Sequence, residues 1–183
     1  MLYTRKGDKG DTGLFGCNQR ISKSSAIAEA LGSLDEINSF LGLAKVKSEA
    51  TTFLVGEKKF SQIVHTVQQN LFIIQAELAG SEMSITEEKI KEIEGIIGEI
   101  EATLPPIKSF FISGGTELGA TFDASRTIAR RAERRVVAVV EEESRKIGEY
   151  SRAYLNRLSS LLYALARLSN HYSGITEQPP TYQ

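Results

Sequence analysis

The sequence contains very few of the residues that bind transition metals or form disulfides. Among its 183 residues there are one cysteine, Cys17, and two histidines, His65 and His171. A single cysteine cannot form an internal disulfide, and these three side chains are too few for a zinc cluster. Apolar runs stay well below the roughly 18 consecutive residues of a membrane-spanning helix, and the N-terminal residues lack the apolar core of a signal peptide. We therefore expect a cytoplasmic protein with no membrane association.

A large excess of one charge is also lacking. Lysine and arginine total 22 and aspartate and glutamate total 23, so the net charge is −1. This balance provides no overall basic field for nucleic acid. The hydrophobic fraction of 41% is typical of a globular protein, and the length predicts one domain over residues 1–183. Any positive charge that binds a ligand must therefore be local.

The strongest local concentration of charge is a run of five arginines within residues 126–135. Arg126, Arg130 and Arg134 are spaced by four residues, so they share one face of a helix. Arginine suits polyphosphate or carboxylate because its planar guanidinium donates two parallel hydrogen bonds. Considered alone, this segment is equally compatible with an anion-binding face and with a surface stripe paired by the acidic residues 141–143.

Apolar residues recur at steps of three and four in five segments, which predicts five helices. The predicted helices span residues 24–46, 58–79, 84–104, 117–146 and 149–170. Ser24 or Ser25 is the expected N-cap of the first, Gly80 the C-cap of the second, and a capping box over 84–87 the start of the third. No alternating strand pattern is present. We expect an all-α antiparallel bundle with short connections and a loosely held tail over 174–183.

Residues 1–23 form an arm in which glycine occurs at every third position from Gly7 to Gly16. This spacing disfavours a helix and permits positive φ, so successive backbone N–H groups can converge on an anion. Hydroxyl and cationic side chains accompany the glycines: Thr4, Arg5, Lys6, Lys9, Thr12 and Lys23. The arm lacks the Gly-Lys-Ser/Thr ending of a Walker A loop. A phosphate-binding turn and a flexible polar arm both stay open.

A second segment without helical pattern runs from Phe110 to Thr116, between a double proline and the arginine helix. The pair Gly114-Gly115 brings the backbone close to a neighbouring group, and Thr116 can cap the next helix. The adjacent aromatics Phe110 and Phe111 either pack on the bundle or form the apolar wall of a ligand pocket. The residues themselves do not choose between these two interpretations.

Six blocks of residues occur in a recognisable order along nearly the whole chain. They are Tyr3-Thr4-Arg5-x-Gly7-Asp8-x-Gly10, Lys23, Asp35-Glu36, Phe110-x-x-x-Gly114-Gly115, Ala124-x-Arg126-Thr127-x-x-Arg130-Arg131-Ala132-Glu133-Arg134 and Tyr154-Leu155-Asn156-Arg157-Leu158-Ser159. The series resembles the signature of the ATP:cob(I)alamin adenosyltransferases of the diol-utilisation type, also known from human cobalamin metabolism. The resemblance implies a five-helix up-and-down bundle, ferritin-like, that forms a homotrimer. It also implies transfer of the 5′-deoxyadenosyl group of ATP to cobalt, with release of triphosphate.

The resemblance further implies a role for individual residues. The triphosphate would be held by Thr4, Arg5, Lys6, Gly7, Thr12, Gly13 and Lys23, and ATP would also contact Arg130, Arg131, Glu133, Arg134 and Asn156. Asp35 would pair with Arg126 to hold the site together, and Phe110 would occupy the lower axial side of cobalt. Arg130, Asp35, Arg126 and Phe110 are thus the expected catalytic residues. The chain departs from the family pattern at Ser113, Phe122 and Asp123, where proline, leucine and histidine are common.

The expected reaction explains why no basic or nucleophilic side chain stands out. Cob(I)alamin is itself a strong nucleophile, so the protein has to align the reactants and stabilise the departing triphosphate. Mg²⁺ would be held by the ATP phosphates rather than by protein side chains. Implied partners are a flavin reductase and an adenosylcobalamin-dependent mutase or dehydratase. Two alternatives stay open: a phosphotransferase with Asp8 or Asp35 as base, and a non-catalytic carrier of cobalamin or nucleotide.

Overall fold

The computed structural model describes residues 3–14 and 19–182, so Gly16 and Cys17 of the predicted arm lie outside the described residues. Five helices form the body of the described chain. They are α1 (Ala26–Glu49), α2 (Phe60–Ala79), α3 (Glu87–Thr103), α4 (Glu117–Glu141) and α5 (Glu149–Tyr172). The predicted five-helix fold is confirmed, and the observed helix ends lie within a few residues of the predicted ones.

Local capping explains where the helices begin and end. Ser25 caps α1, since its side-chain oxygen accepts a hydrogen bond from the Ala28 N–H, and Gly80 ends α2 with a φ of 106°. The predicted capping box was wrong in register, because α3 begins only after Thr86. Ile85 is instead buried, and its N–H donates to the Ser151 hydroxyl at 3.2 Å.

Helix α4 ends five residues earlier than predicted. The cause is a residue other than glycine that adopts the left-handed conformation. Glu143 has a φ of 52°. Its N–H donates to the Val140 carbonyl at 3.1 Å, and the Ser144 N–H donates to the Val139 carbonyl at 3.1 Å. This hydrogen-bond pair is the Schellman pattern that ends many helices. A glutamate at this position is uncommon, so the sequence carries no clear signal for the end.

Two short hairpins were not predicted. Strands β1 (Asp11–Gly13) and β2 (Arg20–Ser22) pair antiparallel within the N-terminal arm. Strands β3 (Leu54–Val55) and β4 (Lys58–Lys59) pair before α2, around a turn in which Gly56 has a φ of 55°. Strands of two or three residues are too short to show an alternating pattern, so they escape a search for one.

The packing order places the arginine helix beside the last helix. Helix α1 packs between α2 and α4, and α5 packs between α4 and α3. The fully buried core includes Leu34, Ile37, Leu41, Phe60, Leu71, Ile74, Phe122, Val136, Val139, Leu158 and Leu161. Since the apolar stripe of α4 faces this core, its arginines face outward. Within the described residues, every helix is too short or too polar to cross a bilayer.

Candidate functional site

The glycine turn of the arm is closed by two cations from the second strand of its own hairpin and the residue that follows. The Lys23 ammonium donates to the Gly7 carbonyl, and the Lys23 N–H donates to the Gly10 carbonyl, both at 2.9 Å. The Arg20 guanidinium donates to the Lys6 carbonyl at 2.6 Å and to both carboxylate oxygens of Asp11. This guanidinium lowers the pKa of Asp11. The turn is therefore a compact loop, held in part by Arg20, which was not predicted.

The predicted triphosphate residues of the arm lie on or beside this loop. The Lys6 N–H donates to the Thr4 hydroxyl at 3.4 Å, and Arg5 lies over the ring of Tyr3. Thr12 and Gly13 belong to β1. Arg5 has a φ of 58°, a conformation uncommon for residues other than glycine. The hairpin thus brings the arm residues into one short, polar turn.

The five arginines of α4 differ sharply in their partners. Arg131 pairs with Glu36 of α1, and Arg135 lies 3.4 Å from a carboxylate oxygen of Glu29. Arg130 and Arg134 have no hydrogen bond or ion pair within the described part of the chain. These two exposed guanidinium groups lie one turn apart on the same face. They are therefore the arginines of this face that are available for an anionic ligand.

The predicted pair between Asp35 and Arg126 is not formed in the described chain. Arg126 instead donates to Asp123 through Nε at 3.2 Å, one turn earlier on α4, and its guanidinium lies over the ring of Tyr163. Asp35 is exposed on α1. An acceptor three residues earlier on the same helix lies on the neighbouring row of side chains, so it is within reach of Arg126.

Glu133 and Asn156, both predicted to contact ATP, are brought together by a direct hydrogen bond. The Asn156 amide donates to Glu133 at 3.0 Å, and its oxygen accepts from Arg157 at 2.9 Å. Arg157 in turn pairs with Glu94 of α3 at 2.9 Å. This polar chain links α4, α5 and α3 and orients the Asn156 side chain.

Asn170 fixes the glycine pair that precedes α4. Its side-chain oxygen accepts from the Thr116 N–H at 3.0 Å, and its amide donates to the Gly114 carbonyl at 3.0 Å. A Cβ atom at Gly115 would lie 2.7 Å from that oxygen. The predicted close approach of the backbone at this glycine pair is confirmed, and Asn170 is the group that it approaches. Thr116 caps α4 as expected, accepting from the Gly119 N–H.

The two adjacent aromatics have different environments. Phe110 is 80% exposed, and Phe111 lies against the Arg167 guanidinium, which is 5.2 Å from the ring centroid. A cavity of about 590 Å³ opens beside Phe110, between the loop after α3 and the exposed faces of α4 and α5. Arg126 and Arg130 also line this cavity, so it adjoins the arginine face.

The C-terminal tail contributes to the same region. The sequence predicts a loose tail beyond residue 174, and this was wrong for its first part. The Ile175 N–H donates to the Asn170 carbonyl at 2.9 Å, the Glu177 carboxylate accepts from Arg167 at 2.8 Å, and the Gln178 carbonyl accepts from the Ile112 N–H at 2.9 Å. The bond between Gln178 and Ile112 joins distant parts of the chain, so it has no local sequence signal.

Several residues of the cavity were missed or noted only as departures from the family pattern. They are Asp123, Tyr163, Arg167 and Glu177. A signal was available for two of them, since Tyr163 and Arg167 follow Ser159 of the last motif block at steps of four residues and form one polar face with it on a leucine-rich helix. Burial raises the pKa of the Tyr163 phenol, although the nearby Arg167 guanidinium acts in the opposite direction.

The structure does not bring all predicted site residues together. No hydrogen bond or ion pair among the described residues joins the arm to Arg130, Arg131, Glu133 or Arg134. The predicted site is therefore divided between a glycine turn and a separate face of α4 and α5. In the part of the chain that the structure describes, no three His, Cys, Asp or Glu side chains are grouped to hold a metal ion.

Comparisons with known protein sequences identify close similarities over the full bundle. The family model for cobalamin adenosyltransferase matches residues 2–169. A corrinoid adenosyltransferase of Bacillus subtilis is 40% identical over 95% of this chain and 89% of its own length. The corrinoid adenosyltransferase PduO of Citrobacter freundii is 37% identical over 93% of this chain. The chain spans about half of that PduO protein, since the match covers 50% of its length.

Solved structures are similar over the whole fold as well. A variant of a PduO-type ATP:corrinoid adenosyltransferase from Lactobacillus reuteri, complexed with cobalamin and ATP, superimposes with a TM-score of 0.87 at 28% identity. That match covers 100% of this chain and 97% of the other. A further variant of the Lactobacillus reuteri enzyme, complexed with ATP, gives a TM-score of 0.85, covering 98% of this chain and 100% of the other.

Proposed function

The chain belongs to the cobalamin adenosyltransferase family, and we propose that Arg130 and Arg134 bind the triphosphate that leaves in its reaction. In this reaction the 5′-deoxyadenosyl group of ATP is transferred to cob(I)alamin. The observation that carries this proposal is the pairing of the α4 arginines. Arg131 and Arg135 are bound to carboxylates of α1, whereas Arg130 and Arg134 have no such partner in the described chain. Arg130 also lines the large cavity.

The chemistry needs positive charge more than it needs a base. The cobalt(I) lone pair attacks C5′ of ATP, a cobalt–carbon bond forms, and the C5′–O bond breaks with its electron pair leaving on triphosphate. No proton moves in this step, so no side chain has to act as general base. The protein contributes alignment of C5′ with cobalt and cationic groups placed where the negative charge develops. Arg130 and Arg134 supply such groups.

The arm supplies the other half of the triphosphate site in this proposal. Thr4, Arg5, Lys6, Gly7, Thr12, Gly13 and Lys23 lie on or beside one compact turn, whose backbone N–H groups and cations suit phosphate oxygens. Glu133 and Asn156, already joined by a hydrogen bond, also contact ATP in this proposal, together with Arg131, whose side chain stays 44% exposed beside its Nη2 pair with Glu36. Mg²⁺ would be held by the phosphate oxygens rather than by protein side chains, and it would neutralise part of their charge.

We propose that the two halves meet between neighbouring chains of a homotrimer. The turn of the arm is bonded to its own hairpin, and within the described residues no bond connects it to α4. A heterologous contact repeated around a threefold axis would place the arm of one chain on the α4 face of the next and would close the ring. Each trimer would then contain three equivalent sites.

The cavity beside Phe110 is the proposed corrinoid site. An exposed phenylalanine at its edge can lie against the lower face of cobalt and keep a ligand away from it. Loss of that ligand makes cob(II)alamin easier to reduce, and a flavin reductase would supply the electron. The product would pass to an adenosylcobalamin-dependent mutase or dehydratase. We place these reactions in the cytoplasm, where ATP is abundant and a lone cysteine stays reduced.

Product analysis tests the function directly. Purified protein is mixed with ATP, Mg²⁺ and chemically reduced cob(I)alamin, and both the phosphate products and the corrinoid spectrum are followed. We expect triphosphate and adenosylcobalamin in equal amounts. Formation of ADP would instead indicate a phosphotransferase, and binding of both substrates without turnover would indicate a carrier. An Arg130→Ala variant under the same conditions connects the outcome to the proposed triphosphate site.

A further inference from the structure

We infer that Arg167 is a positioning residue that holds the Phe110 segment (residues 105–113) and the C-terminal tail (residues 174–182) in place around the corrinoid. The inference rests on the proposed corrinoid site but assigns a role that neither the motif blocks nor the arginine face of α4 contains. Arg167 lies on α5, and only 6% of its surface is exposed. Such burial is rare for arginine unless its charge and donors are satisfied.

Three residues from two elements, the tail and the Phe110 segment, satisfy this one guanidinium. Its Nε donates to the Glu177 carboxylate of the tail at 2.8 Å. Its Nη2 donates to the Pro105 carbonyl, at the start of the Phe110 segment, at 3.2 Å. Its planar face lies against the ring of Phe111 at 5.2 Å from the centroid. Arg167 is thus the point where helix, segment and tail are joined.

The tail and the segment are also bonded to each other, which closes a ring of contacts. The Gln178 carbonyl accepts from the Ile112 N–H at 2.9 Å. The segment is therefore held near both ends, at Pro105 through Arg167 and at Ile112 through the tail. Phe110 lies between these points with 80% of its surface exposed, so its own packing does little to fix its position. The two anchor points determine where the ring is presented.

Arg167 and Phe111 also form the partition between two cavities. One is the cavity of about 590 Å³ that adjoins Arg130, and the other, of about 470 Å³, lies behind the segment and against the tail. Both residues line both spaces. If the partition loosens, the wall of the corrinoid cavity shifts, whereas Arg130 and Arg134 of the triphosphate face have no hydrogen bond or ion pair to the segment or the tail among the described residues. The expected defect is consequently specific to the corrinoid.

Substitution by methionine separates a positioning role from a purely structural one. Replacing a buried charged group by an apolar side chain of similar length often preserves stability, whereas the hydrogen bonds to Glu177 and Pro105 are lost. To avoid leaving Glu177 unpaired, the test uses Arg167→Met together with Glu177→Gln. The Glu177→Gln single variant is a smaller perturbation than the double variant. It removes the carboxylate charge, but its amide oxygen can still accept a hydrogen bond from Arg167. Glu87→Gln, which breaks the exposed pair with Lys91 on α3, is the matched control.

The measurements are KM for cob(I)alamin, KM for ATP, and the dissociation constant of cobalamin from an absorbance titration that needs no turnover. We expect the corrinoid KM and dissociation constant of the double variant to rise about tenfold, equivalent to about 1.4 kcal/mol, with the ATP KM within about twofold of wild type. Glu177→Gln should give a smaller change in the same direction, and Glu87→Gln none. Arg167→Lys, which keeps a donor, should recover part of the corrinoid affinity.

Two results would overturn the inference: unchanged corrinoid affinity in a folded double variant, or parallel rises in the KM values of ATP and corrinoid. Should the double variant fail to fold, an unchanged corrinoid affinity in a folded Glu177→Ala variant, which removes the acceptor in the tail, would carry the same weight. Failure of the proposed function is visible separately, because it would appear as absence of triphosphate in the wild-type protein. Cobalamin titration would still decide the role of Arg167 in that case.

Discussion

Arg126 donates a hydrogen bond to Asp123, one turn earlier on α4, with Nε 3.2 Å from the carboxylate oxygen. The Asp123 side chain is largely buried, and the same guanidinium lies 5.7 Å from the centroid of the Tyr163 ring. Both partners line the large cavity. The carboxylate that depends on Arg126 within the chain is therefore Asp123 rather than Asp35.

Removal of Arg126 should leave Asp123 without its cationic partner in a poorly hydrated place. We expect Arg126→Ala to lower the free energy of unfolding by about 1–3 kcal/mol, since an unpaired and largely buried charge is costly. Adding Asp123→Asn should recover part of this loss, because the uncompensated charge is then removed. Thermal unfolding of the two single variants and the double variant measures the coupling. Strictly additive losses would contradict a direct interaction between Arg126 and Asp123.

The unpaired state of Arg130 predicts a kinetic defect without a structural one. Arg130→Ala should reduce kcat/KM roughly ten- to a thousandfold, since one cationic contact to the departing triphosphate is lost in the transition state. The melting temperature should stay close to that of wild type. Arg135→Ala is the matched control on the same helix, because Arg135 has an exposed pair with Glu29 that contributes little. Normal kinetics in Arg130→Ala would mean that the arginine face is a solvated surface stripe and not a triphosphate site.

The elements that were predicted well are those with long, repeated local patterns. Helix α2 shows apolar residues at steps of three and four from Phe60 to Leu78, and its observed bounds differ from the predicted ones by at most two residues. The unpredicted features depend on geometry that the sequence does not display. Glu143 ends α4 in a left-handed conformation without being glycine, and the hairpins have strands of two or three residues.

The prediction of the site is limited by ion pairs between side chains that only the fold brings together. Family motifs name Arg130 and Arg131 together, but only the folded chain reveals that Arg131 is occupied by Glu36. Arg167 and Glu177 are ten residues apart, and their ion pair forms only because the chain reverses after α5. Sequence patterns thus identify which residue types are present, whereas the availability of each side chain follows from its packing.

The exposed ring of Phe110 should affect reduction of cobalt more than transfer of the adenosyl group. Phe110→Ala should lower the rate of a coupled assay that starts from cob(II)alamin far more than an assay supplied with chemically reduced cob(I)alamin. The physical reason is that a vacant lower face makes cobalt easier to reduce, whereas cob(I)alamin needs no such help. Phe72→Ala, at an exposed aromatic of α2 outside the cavity lining, is a suitable control. Equal losses in both assays would make Phe110 an ordinary wall residue.

The backbone at Gly115 should tolerate no side chain. Its φ is 102°, and a Cβ atom there would lie 2.7 Å from the Asn170 side-chain oxygen. Gly115→Ala should therefore destabilise the protein by about 1–3 kcal/mol, through backbone strain and loss of the Asn170 hydrogen bonds. Gly98→Ala, at an exposed and open position of α3, should stabilise by about 0.5–1 kcal/mol. Thermal unfolding of both variants checks the contrast, and a neutral Gly115→Ala would disprove the tight contact.

The separation of the arm from α4 predicts that inactive variants can complement each other. Lys6→Ala/Thr12→Ala damages the turn of the arm, and Arg130→Ala damages the α4 face, so each variant alone should be nearly inactive. After the two are mixed in equal amounts, partly unfolded and reassembled, random trimers should contain intact sites in about a quarter of their interfaces, because each site takes one half from each neighbour. Triphosphate release should rise accordingly. If a reassembled wild-type control recovers its activity while the mixture stays as inactive as its parents, each site lies within a single chain.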